Sequence, residues 1–245
     1  MPELPEVETI IRQLREKVIG QIISKVQISR SSQWKLNDAD EVTEKLIGKQ
    51  IHRIRRLGKY IIFDFSDGGV LIIHLRMTGK LIWSDADVEP EKYTRTIFHF
   101  ASGGTLQFND TRALGTLVFL PPGDVEKYSP VLGLEPLDES WTLKALRERI
   151  KNSGLDAKSF LMDQKKIAGI GNIYASEILF RCRIHPERKI NELTEAEIKS
   201  LYEQIPLVLN LAIEKMGTSL GDGEGNFRSV YNIEGEFQKL IRVYG

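Results

Sequence analysis

The sequence is poor in three features that would narrow its class at once: cysteine, net charge and long apolar runs. Cys182 is its only cysteine, which excludes an internal disulfide and a cysteine-rich zinc site and fits a reducing cytosol. Thirty-four basic residues balance thirty-four acidic ones, so the net charge does not indicate a polyanionic partner. No apolar stretch approaches the ~18–20 residues of a membrane span, and the opening lacks a signal-peptide pattern. We therefore expect a cytoplasmic protein with no membrane partner.

Charge is distributed unevenly within an otherwise ordinary composition. Hydrophobic residues make up 41% of the chain and charged residues 28%, as in soluble globular proteins, and 245 residues suffice for one large domain or two modest ones. Residues 49–59 hold five Lys or Arg and no acid, whereas residues 85–91 hold four acids. A basic run is ordinarily a solvated surface, so nucleic acid is a minority interpretation until other features join it.

The first eight residues, Met-Pro-Glu-Leu-Pro-Glu-Val-Glu, open an amphipathic helix predicted over 3–19. Acids in its first turn suit the positive end of the helix dipole, and Pro5 needs no amide partner there. If Met1 is removed, Pro2 carries a terminal secondary amine, which is far more often neutral and nucleophilic than a lysine. Glu3 beside it could exchange a proton. A proline- and glutamate-rich opening is also simply a good helix start, with no chemistry attached.

Two patterns follow one another along the chain. Alternating β-branched and polar residues predict strands, and Asp67-Gly68-Gly69 and Gly103-Gly104 predict hairpin turns. The strands are predicted at 21–29, 50–57, 60–66, 70–75, 80–84, 95–101, 104–109 and 115–120, with a short helix near 38–47. Beyond residue 132 the period becomes helical, with helices predicted at 142–151, 156–163, 172–182 and 194–214.

The predicted fold class is therefore α+β with more than one domain. An N-terminal helix and an antiparallel β-sandwich occupy residues 1–125, and an all-α domain occupies 132–245, with the boundary near 125–132. Residues 217–236 are rich in Gly, Ser, Asp and Asn and predict a long loop, which in a compact domain is often functional.

Ala168-Gly169-Ile170-Gly171-Asn172 is the strongest local motif of the second half. A Gly-x-Gly before a helix could indicate a dinucleotide site, but no strand precedes this one. Glycines that allow close approach, and free amides at a helix N-terminus, favour an anion such as phosphate. Independently of that role, Ile173, Leu179 and Phe180 predict a core-facing helix.

Five separated motifs, in this order, resemble those of the bacterial formamidopyrimidine-DNA glycosylases. They are Pro2–Thr9, Gly58-Lys59-Tyr60, the segment from His74 to Gly79, the segment from Asp110 to Gly115, and the Gly-x-Gly-Asn that ends at Asn172. The resemblance extends from residue 2 to residue 245. It implies a helix–two-turn–helix fold for the second domain, damaged double-stranded DNA as the partner, and a monomer.

The resemblance also implies roles for individual residues. Pro2 would attack the sugar, Glu3 would manage protons, and Lys59 would contact phosphate and assist elimination. Met77 would fill the space of the extruded base, and Arg112 would contact the base left opposite. Leu114 stands where an aromatic wedge is usual, and Tyr93 where a histidine often is. The implied DNA-binding set is His74, Met77, Tyr93, Arg112, Leu114, Lys158, Asn172 and Tyr244, and the lesion-recognition loop 217–236 contributes Thr218, Ser219, Asn226, Phe227 and Arg228.

The sequence departs from this pattern at its end. Phe237–Gly245 resembles the linker that precedes a four-cysteine zinc finger in most relatives, and the sequence stops there. We therefore expect no structural zinc and no other cofactor in this chain, whether the finger is cut away or naturally dispensed with.

Three functions stay open at this point. The first is a bifunctional glycosylase that removes oxidised purines, 8-oxoguanine and formamidopyrimidines, and cleaves the resulting abasic site through a Schiff base to Pro2. The second is a DNA-binding module that recognises lesions without cutting, which retention of Met1 would produce. The third is the sister branch of glycosylases specific for oxidised pyrimidines. Leu4 favours the purine branch, because the sister branch typically has Gly there.

Overall fold

The computed structural model describes residues 1–124, 131–220 and 226–244. The helices are α1 (Leu4–Val18), α2 (Ala39–Leu46), α3 (Leu143–Lys151), α4 (Ala157–Met162), α5 (Asn172–Cys182) and α6 (Glu195–Glu214). The strands are β1 (Ile23–Ile28), β2 (Ile51–Leu57), β3 (Tyr60–Phe65), β4 (Val70–His74), β5 (Gly79–Ser84), β6 (Thr94–Phe100), β7 (Thr105–Asp110) and β8 (Thr116–Leu120). Most of the predicted domain boundary (125–130), part of the predicted loop (221–225) and Gly245 lie outside the described residues.

The strands form two antiparallel sheets, and the predicted α+β class is confirmed. The sheets are four-stranded, with strand orders β1-β6-β7-β5 and β2-β3-β4-β8. Both predicted hairpin turns are present, one between β3 and β4 and one between β6 and β7. Gly68 and Gly103 have φ of +90° and +95°, a conformation in which a residue without a Cβ carries no penalty.

Two connections pass between the sheets at one end of the sandwich. The chain crosses from β4 to β5 through residues 75–78 and from β7 to β8 through residues 111–115. Because β4 pairs with β8 and β5 pairs with β7, these connections run side by side. The pairs nearest to them are His74 with Thr116 and Gly79 with Asp110. This topology brings together two motifs that are more than thirty residues apart in sequence.

Helix α1 lies between the two domains and belongs to both cores. Its apolar stripe, Val7, Ile10, Ile11, Leu14 and Val18, is buried in the core of the β-sandwich. Leu4, one turn earlier, is buried in the core of the helical domain. Burial of each such side chain contributes about 1.5–3 kcal/mol, so α1 holds the N-terminus firmly at the domain interface.

The predicted loop returns to the first domain after it leaves α6. Phe227 and Val230 are buried in the core of the β-sandwich. The amide of Trp83 in β5 donates to the carbonyl of Val230 (2.9 Å), and the amide of Val230 donates to the Gln13 side chain of α1 (3.2 Å). The described part of this loop is therefore anchored to the first domain.

Candidate active site and DNA interface

The Glu3 carboxylate caps the N-terminus of α5. Glu3 precedes α1, is only 3% exposed, and accepts hydrogen bonds from the backbone amides of Gly171 (2.7 Å) and Ile173 (3.0 Å). The first amides of a helix have no partner within the helix and carry partial positive charge, so they attract a carboxylate. The start of α1 is thereby fixed to the helical domain.

Glu3 occupies the backbone amides of Gly171 and Ile173, so these two amides are not free to bind phosphate as the Gly-x-Gly motif predicts. The two glycines instead allow α1 to approach α5. Gly169 has φ of +88°, and a Cβ on it would lie 2.7 Å from the side chain of Leu4. A Cβ on Gly171 would lie 2.5 Å from Oε1 of Glu3. The anion for which this helix start is shaped is a side chain of the same protein.

Lys59 lies close to Glu3, and both side chains approach Gly171. A Cβ on Gly171 would also lie 2.8 Å from Nζ of Lys59, which is 5% exposed. Burial lowers the pKa of Lys59, and the nearby carboxyl groups of Glu3 and Glu6 oppose that shift. Burial raises the pKa of Glu3, although Lys59 and the backbone amides oppose the change. The acid and the amine therefore both favour their neutral forms more than exposed groups would.

A chain of ion pairs holds the turn that carries Lys59. The Glu135 carboxylate accepts the amide of Gly58 (2.9 Å) and pairs with Arg56 (2.6 Å), which also pairs with Glu8 of α1 (3.1 Å). Gly58 itself has φ of +56°. Because Glu135 belongs to the segment that enters the helical domain, this network ties the lysine turn to both domains.

His74 is buried next to this site as a neutral imidazole. Burial, together with the positive charges of Arg76 and Lys59, lowers the pKa of His74 to about 3. Its Nδ1 accepts the amide of Arg76 (3.0 Å), which leaves the proton on Nε2. The ring also packs edge-on against Tyr60, with centroids 4.6 Å apart. His74 therefore offers a hydrogen-bond donor without a charge.

Two cavities meet at the N-terminus. The first, the lysine cavity, has a volume of about 640 Å³ and is lined by Met1, Lys59, His74, Arg76, Gln164 and Lys165, among others. The second, the loop cavity, has a volume of about 320 Å³ and is lined by Met1, Ile173, Thr218, Asn226, Phe227 and Tyr244, among others. Met1 is half exposed and lines both, whereas Pro2 is buried behind it. Without Met1, the Pro2 amine would be the group at their junction.

Glu6 connects the N-terminus to the predicted loop. Its carboxyl accepts the amide of Glu3 (2.7 Å), the amide of Thr218 (2.7 Å) and the hydroxyl of Tyr174 (2.5 Å). Glu6 is 1% exposed, and burial together with the charge of Glu3 raises its pKa to about 7. The sequence interpretation of Glu6 as an ordinary first-turn acid is therefore incomplete, since it is a buried junction of three segments.

The two connections between the sheets present three exposed side chains at one edge. Met77 and Leu114 are each 44% exposed, and a guanidinium nitrogen of the exposed Arg112 lies 3.5 Å from the Met77 sulfur. Buried Asp110 organises both connections, because its carboxylate accepts the hydroxyl of Thr78 and the amide of Gly115 (2.8 Å). The predicted wedge and opposite-base residues are thus brought together on a rigid base.

Tyr93 lies next to this edge. It has φ of +76°, and its carbonyl accepts the amide of Asp110 (3.0 Å). Lys92 and Arg95 lie over its ring, at 4.9 and 5.6 Å from the centroid. The structure therefore places Tyr93 with Arg112 on the β-sandwich, among cationic side chains.

Asn172 and Tyr244 meet at the exposed start of α5. The Asn172 amide donates to the Tyr244 hydroxyl (3.2 Å). Buried Glu177 fixes this arrangement, because its carboxylate accepts the backbone amides of Arg242, Val243 and Tyr244 at 3.0–3.1 Å. Three consecutive amides that converge on one carboxylate form an anion-binding nest.

Lys158 is the second residue of α4. It lines a third cavity, of about 580 Å³, with Phe180, Arg183 and His185. Phe180 is 51% exposed, so the prediction that it faces the core is wrong. It points outward because α5 has only one buried side, formed by residues such as Ile178 and Leu179.

The remaining predicted loop residues have different environments. Thr218, Asn226 and Phe227 line the loop cavity. Ser219 is buried, and its hydroxyl donates to the carbonyl of Phe227 (2.7 Å) and accepts the amide of Gly235 (2.9 Å). Arg228 pairs with Glu234 (2.7 Å). Ser219 thus shapes the loop from within, and Arg228 closes it from outside.

Sequence reasoning missed four residues of this region: Glu6, Tyr174, Arg76 and Lys165. Helical periodicity could have found Glu6, because it lies one turn before Ile10 on the buried stripe of α1. Arg76 and Lys165 line the lysine cavity from opposite domains. No sequence pattern joins residues so far apart.

The described residues do not fit a structural zinc ion. No cluster of three or more His, Cys, Asp or Glu side chains suited to a metal lies in residues 1–124, 131–220 and 226–244. Cys182 lies in the helical core, where burial raises the pKa of its thiol and so disfavours the thiolate that zinc requires. Within the same residues, no helix has the length and apolar character needed to cross a bilayer.

The protein has two domains, a β-sandwich and a helical domain, and α1 joins them. The start of α1 lies between two cavities, which is the arrangement of a two-domain enzyme with its active site at the N-terminus. Residues 1–117 match the N-terminal domain of formamidopyrimidine-DNA glycosylase, and residues 132–222 match its H2TH domain. The chain belongs to the formamidopyrimidine-DNA glycosylase family and is a DNA glycosylase of base-excision repair.

Individual relatives are similar to this protein over the full length of the chain. It is 38% identical to the formamidopyrimidine-DNA glycosylase of Desulforamulus reducens and 40% identical to that of Carboxydothermus hydrogenoformans, and it covers 88% of each. Among solved structures, it is similar to Lactococcus lactis Fpg in complex with DNA that contains an abasic site (TM-score 0.89, 35% identity). That match covers 99% of this chain and 88% of that protein. The wild-type Lactococcus lactis enzyme bound to N7-benzyl-Fapy-dG DNA gives a TM-score of 0.88 at 35% identity, over 100% of this chain and 88% of that one.

Gly171→Ala should abolish most of the excision activity. The added methyl group would contact both Glu3 and Lys59, so these two groups must move apart. A misplacement of about 1 Å at a reacting centre can cost on the order of 100-fold in rate. Gly154→Ala is the matched control, because a Cβ there meets nothing within 4 Å. The rate of single-turnover excision should be compared between the two variants at equal folded fraction. If Gly171→Ala excises the base as fast as Gly154→Ala, the close packing at Gly171 is not needed for activity.

Glu6 should make the protein less stable as the pH rises from about 4.5 to 7. Its pKa is raised from 4.5 to about 7, so the folded state binds more protons than the unfolded state in that window. One pKa unit corresponds to ~1.4 kcal/mol, so the stability lost across the window is on the order of 3 kcal/mol.

Urea unfolding at several pH values would measure this effect. Glu6→Gln should remove most of the slope between pH 4.5 and 7, whatever its effect at any single pH. Glu16→Gln, on the exposed side of the same helix, should keep the slope. An unchanged slope in Glu6→Gln would show that this carboxyl does not titrate in that range.

Proposed function

We propose that this protein removes oxidised purines from double-stranded DNA and then cleaves the strand, with Pro2 as the nucleophile once Met1 is removed. The observation that carries the proposal is the position of Met1, which lines the loop cavity and the lysine cavity at once. An extruded nucleotide could place its base in the first cavity and its sugar phosphate in the second. The bond to be broken would then lie at the Pro2 amine.

The chemistry requires a nucleophile, proton transfers and a bound phosphate. The Pro2 nitrogen forms a bond to C1′ as the bond from C1′ to the base breaks and the base leaves with a proton. Opening of the sugar ring gives a Schiff base, loss of the proton at C2′ follows, and the bond from C3′ to the phosphate oxygen breaks. Glu3 lies where it can exchange these protons, and burial raises its pKa, which favours the protonated form that a proton donor needs.

Cationic and neutral donors in the lysine cavity suit a phosphate. Lys59 and Arg76 approach from the β-sandwich, and Lys165 from the helical domain. His74 offers its Nε2 proton as a neutral donor. In our proposal Lys59 assists elimination next to Glu3, and the other three groups hold the backbone of the damaged strand.

The exposed edge of the β-sandwich has a separate role. Met77 would replace the extruded base and Leu114 would wedge beside the orphaned one, whose edge Arg112 would contact. Asn172, Tyr244, Tyr93 and Lys158 would contact DNA outside the cavities. We propose that the protein acts as a monomer in the cytosol or nucleoid.

Borohydride trapping tests the nucleophile and the lesion class together. The processed protein, with Pro2 verified as its first residue by mass spectrometry, should cross-link to duplexes that contain 8-oxoguanine or formamidopyrimidine. Thymine glycol should give little adduct. Pro2→Gly should weaken the cross-link strongly, because it replaces the secondary amine at the cavity junction.

A form that retains Met1 is the control for this experiment, since its Pro2 nitrogen is acylated and cannot attack. If that form cross-links equally well, Pro2 is not the nucleophile. If thymine glycol is trapped best, the protein instead acts on oxidised pyrimidines.

Met77→Ala should lower excision from duplex DNA. An apolar wedge offsets part of an unstacking cost of a few kcal/mol, so its loss should reduce kcat/KM about ten-fold or more. Cleavage of an abasic site in single-stranded DNA should be unaffected, because no stack is opened there. Val88→Ala, an equally exposed apolar residue on another loop, should change neither rate. Equal losses on both substrates would argue against a wedge.

A further inference from the structure

A buried hydroxyl, that of Tyr174, lies where the loop cavity and the catalytic N-terminus share a wall. The hydroxyl donates to Oε1 of Glu6 (2.5 Å) and lies 3.0 Å from the hydroxyl of Thr218. Tyr174 is fully buried, and Glu6 and Thr218 are 1% and 4% exposed. The proposed mechanism gives this hydroxyl no role, although two buried side chains, Glu6 and Thr218, contact it.

The three residues come from three separate segments. Glu6 belongs to α1, Tyr174 to α5, and Thr218 to the segment that enters the loop. The backbone amide of Tyr174 also faces Glu3, at 3.5 Å from Oε2. Tyr174 therefore contacts the catalytic acid through its main chain and the loop through its side chain.

The loop enters this junction with little freedom. Gly217 has φ of +78°, and a Cβ on it would lie 2.7 Å from Oε1 of Glu6. The next residue, Thr218, donates its amide to the same oxygen (2.7 Å) and lines the loop cavity. The position of the cavity wall is thus set by hydrogen bonds to Glu6 and Tyr174, and the Glu6 carboxyl also accepts the amide of Glu3 (2.7 Å).

We propose that the Tyr174 hydroxyl is a positioning group that fixes the loop cavity relative to the Pro2 amine. It should be needed to release a damaged base but not to cleave an abasic site that already exists. The reason is that a base must be held in the loop cavity while C1′ is attacked, whereas an abasic site has no base to hold. This inference rests on the proposed function.

Tyr174→Phe separates this role from a structural one. The substitution keeps the aromatic ring, which packs against Phe237 with centroids 5.5 Å apart, and removes only the hydroxyl. If the hydroxyl merely supported folding, both activities would fall in proportion to the folded fraction. If it positions the loop, only base release should fall.

The test compares single-turnover rates on two matched duplexes. One duplex contains 8-oxoguanine, and the other contains an abasic site at the same position. We expect Tyr174→Phe to slow base release about ten-fold, the effect of a lost hydrogen bond to a charged group, while abasic cleavage changes less than about two-fold. Tyr202→Phe is the matched control. Its ring packs in the same helical core, stacked on Trp141, and neither rate should change.

Thr218 provides an independent test through the other partner of the hydroxyl. Thr218→Val keeps the amide that donates to Glu6 but removes the hydroxyl, so it should reproduce the selective loss. Thr218→Ser restores a hydroxyl and should recover most of the rate of base release.

Equal losses on both duplexes, or no loss on either, would overturn the positioning role. Borohydride trapping of the protein without substitutions on the abasic duplex should be run in parallel. It tests the Schiff-base mechanism independently of the role of the Tyr174 hydroxyl. Absence of that adduct would refute the Schiff base to Pro2. A selective loss of base release would still support the role of the hydroxyl.

Discussion

The hydrogen bonds between the Glu3 carboxylate and the first amides of α5 are the interaction on which the site depends. They join the residue next to Pro2 to the helical domain, across the interface that α1 bridges. Both cavities exist because of this junction, since each takes one wall from the N-terminus and others from more distant parts of the chain. A shift of α1 along α5 would displace Pro2, Glu3 and the start of the loop together, because Glu3 and Glu6 are hydrogen-bonded to α5 and to Thr218. The two glycines at the junction permit the approach, and apolar packing on both sides maintains it.

This arrangement is costly in electrostatic terms, and the opposing effects can be ranked. A carboxylate at a helix N-terminus gains typically 0.3–1 kcal/mol, and charge-assisted hydrogen bonds and Lys59 add to that. Burial outweighs them, because the pKa of Glu3 rises and that of Lys59 falls despite their proximity. A second buried acid, Glu6, lies on the next turn and takes part in the same balance. The apolar stripe of α1 acts in the opposite direction, because each of its five buried side chains contributes about 1.5–3 kcal/mol.

Local sequence patterns were sufficient to predict the helices and strands. Periodicity placed α1 and the strands to within a few residues, because each buries one side against a continuous core. The placement of Met77 beside Arg112 could not be predicted from pattern alone, since it depends on two chain crossings between the sheets and on buried Asp110. The same limit explains the error at Gly169 and Gly171. Free helix amides indicate an anion, but only the tertiary structure shows that the anion is Glu3, some 170 residues away.

Coupling between recognition and chemistry follows from how few groups separate the two cavities. Three buried residues lie between Met1 and Thr218, which both line the loop cavity. They are Glu3, Glu6 and Tyr174, and they are hydrogen-bonded to one another. In such a network a displacement at one end is transmitted to the other, because protein interiors are closely packed and a lost hydrogen bond leaves a buried group unsatisfied. A base that fits the loop cavity would therefore favour the arrangement in which the Pro2 amine faces C1′. A base that fits poorly would displace Thr218, and with it the carboxyl groups that hold the start of α1. Selectivity would then arise from the position of the nucleophile as well as from affinity for the base.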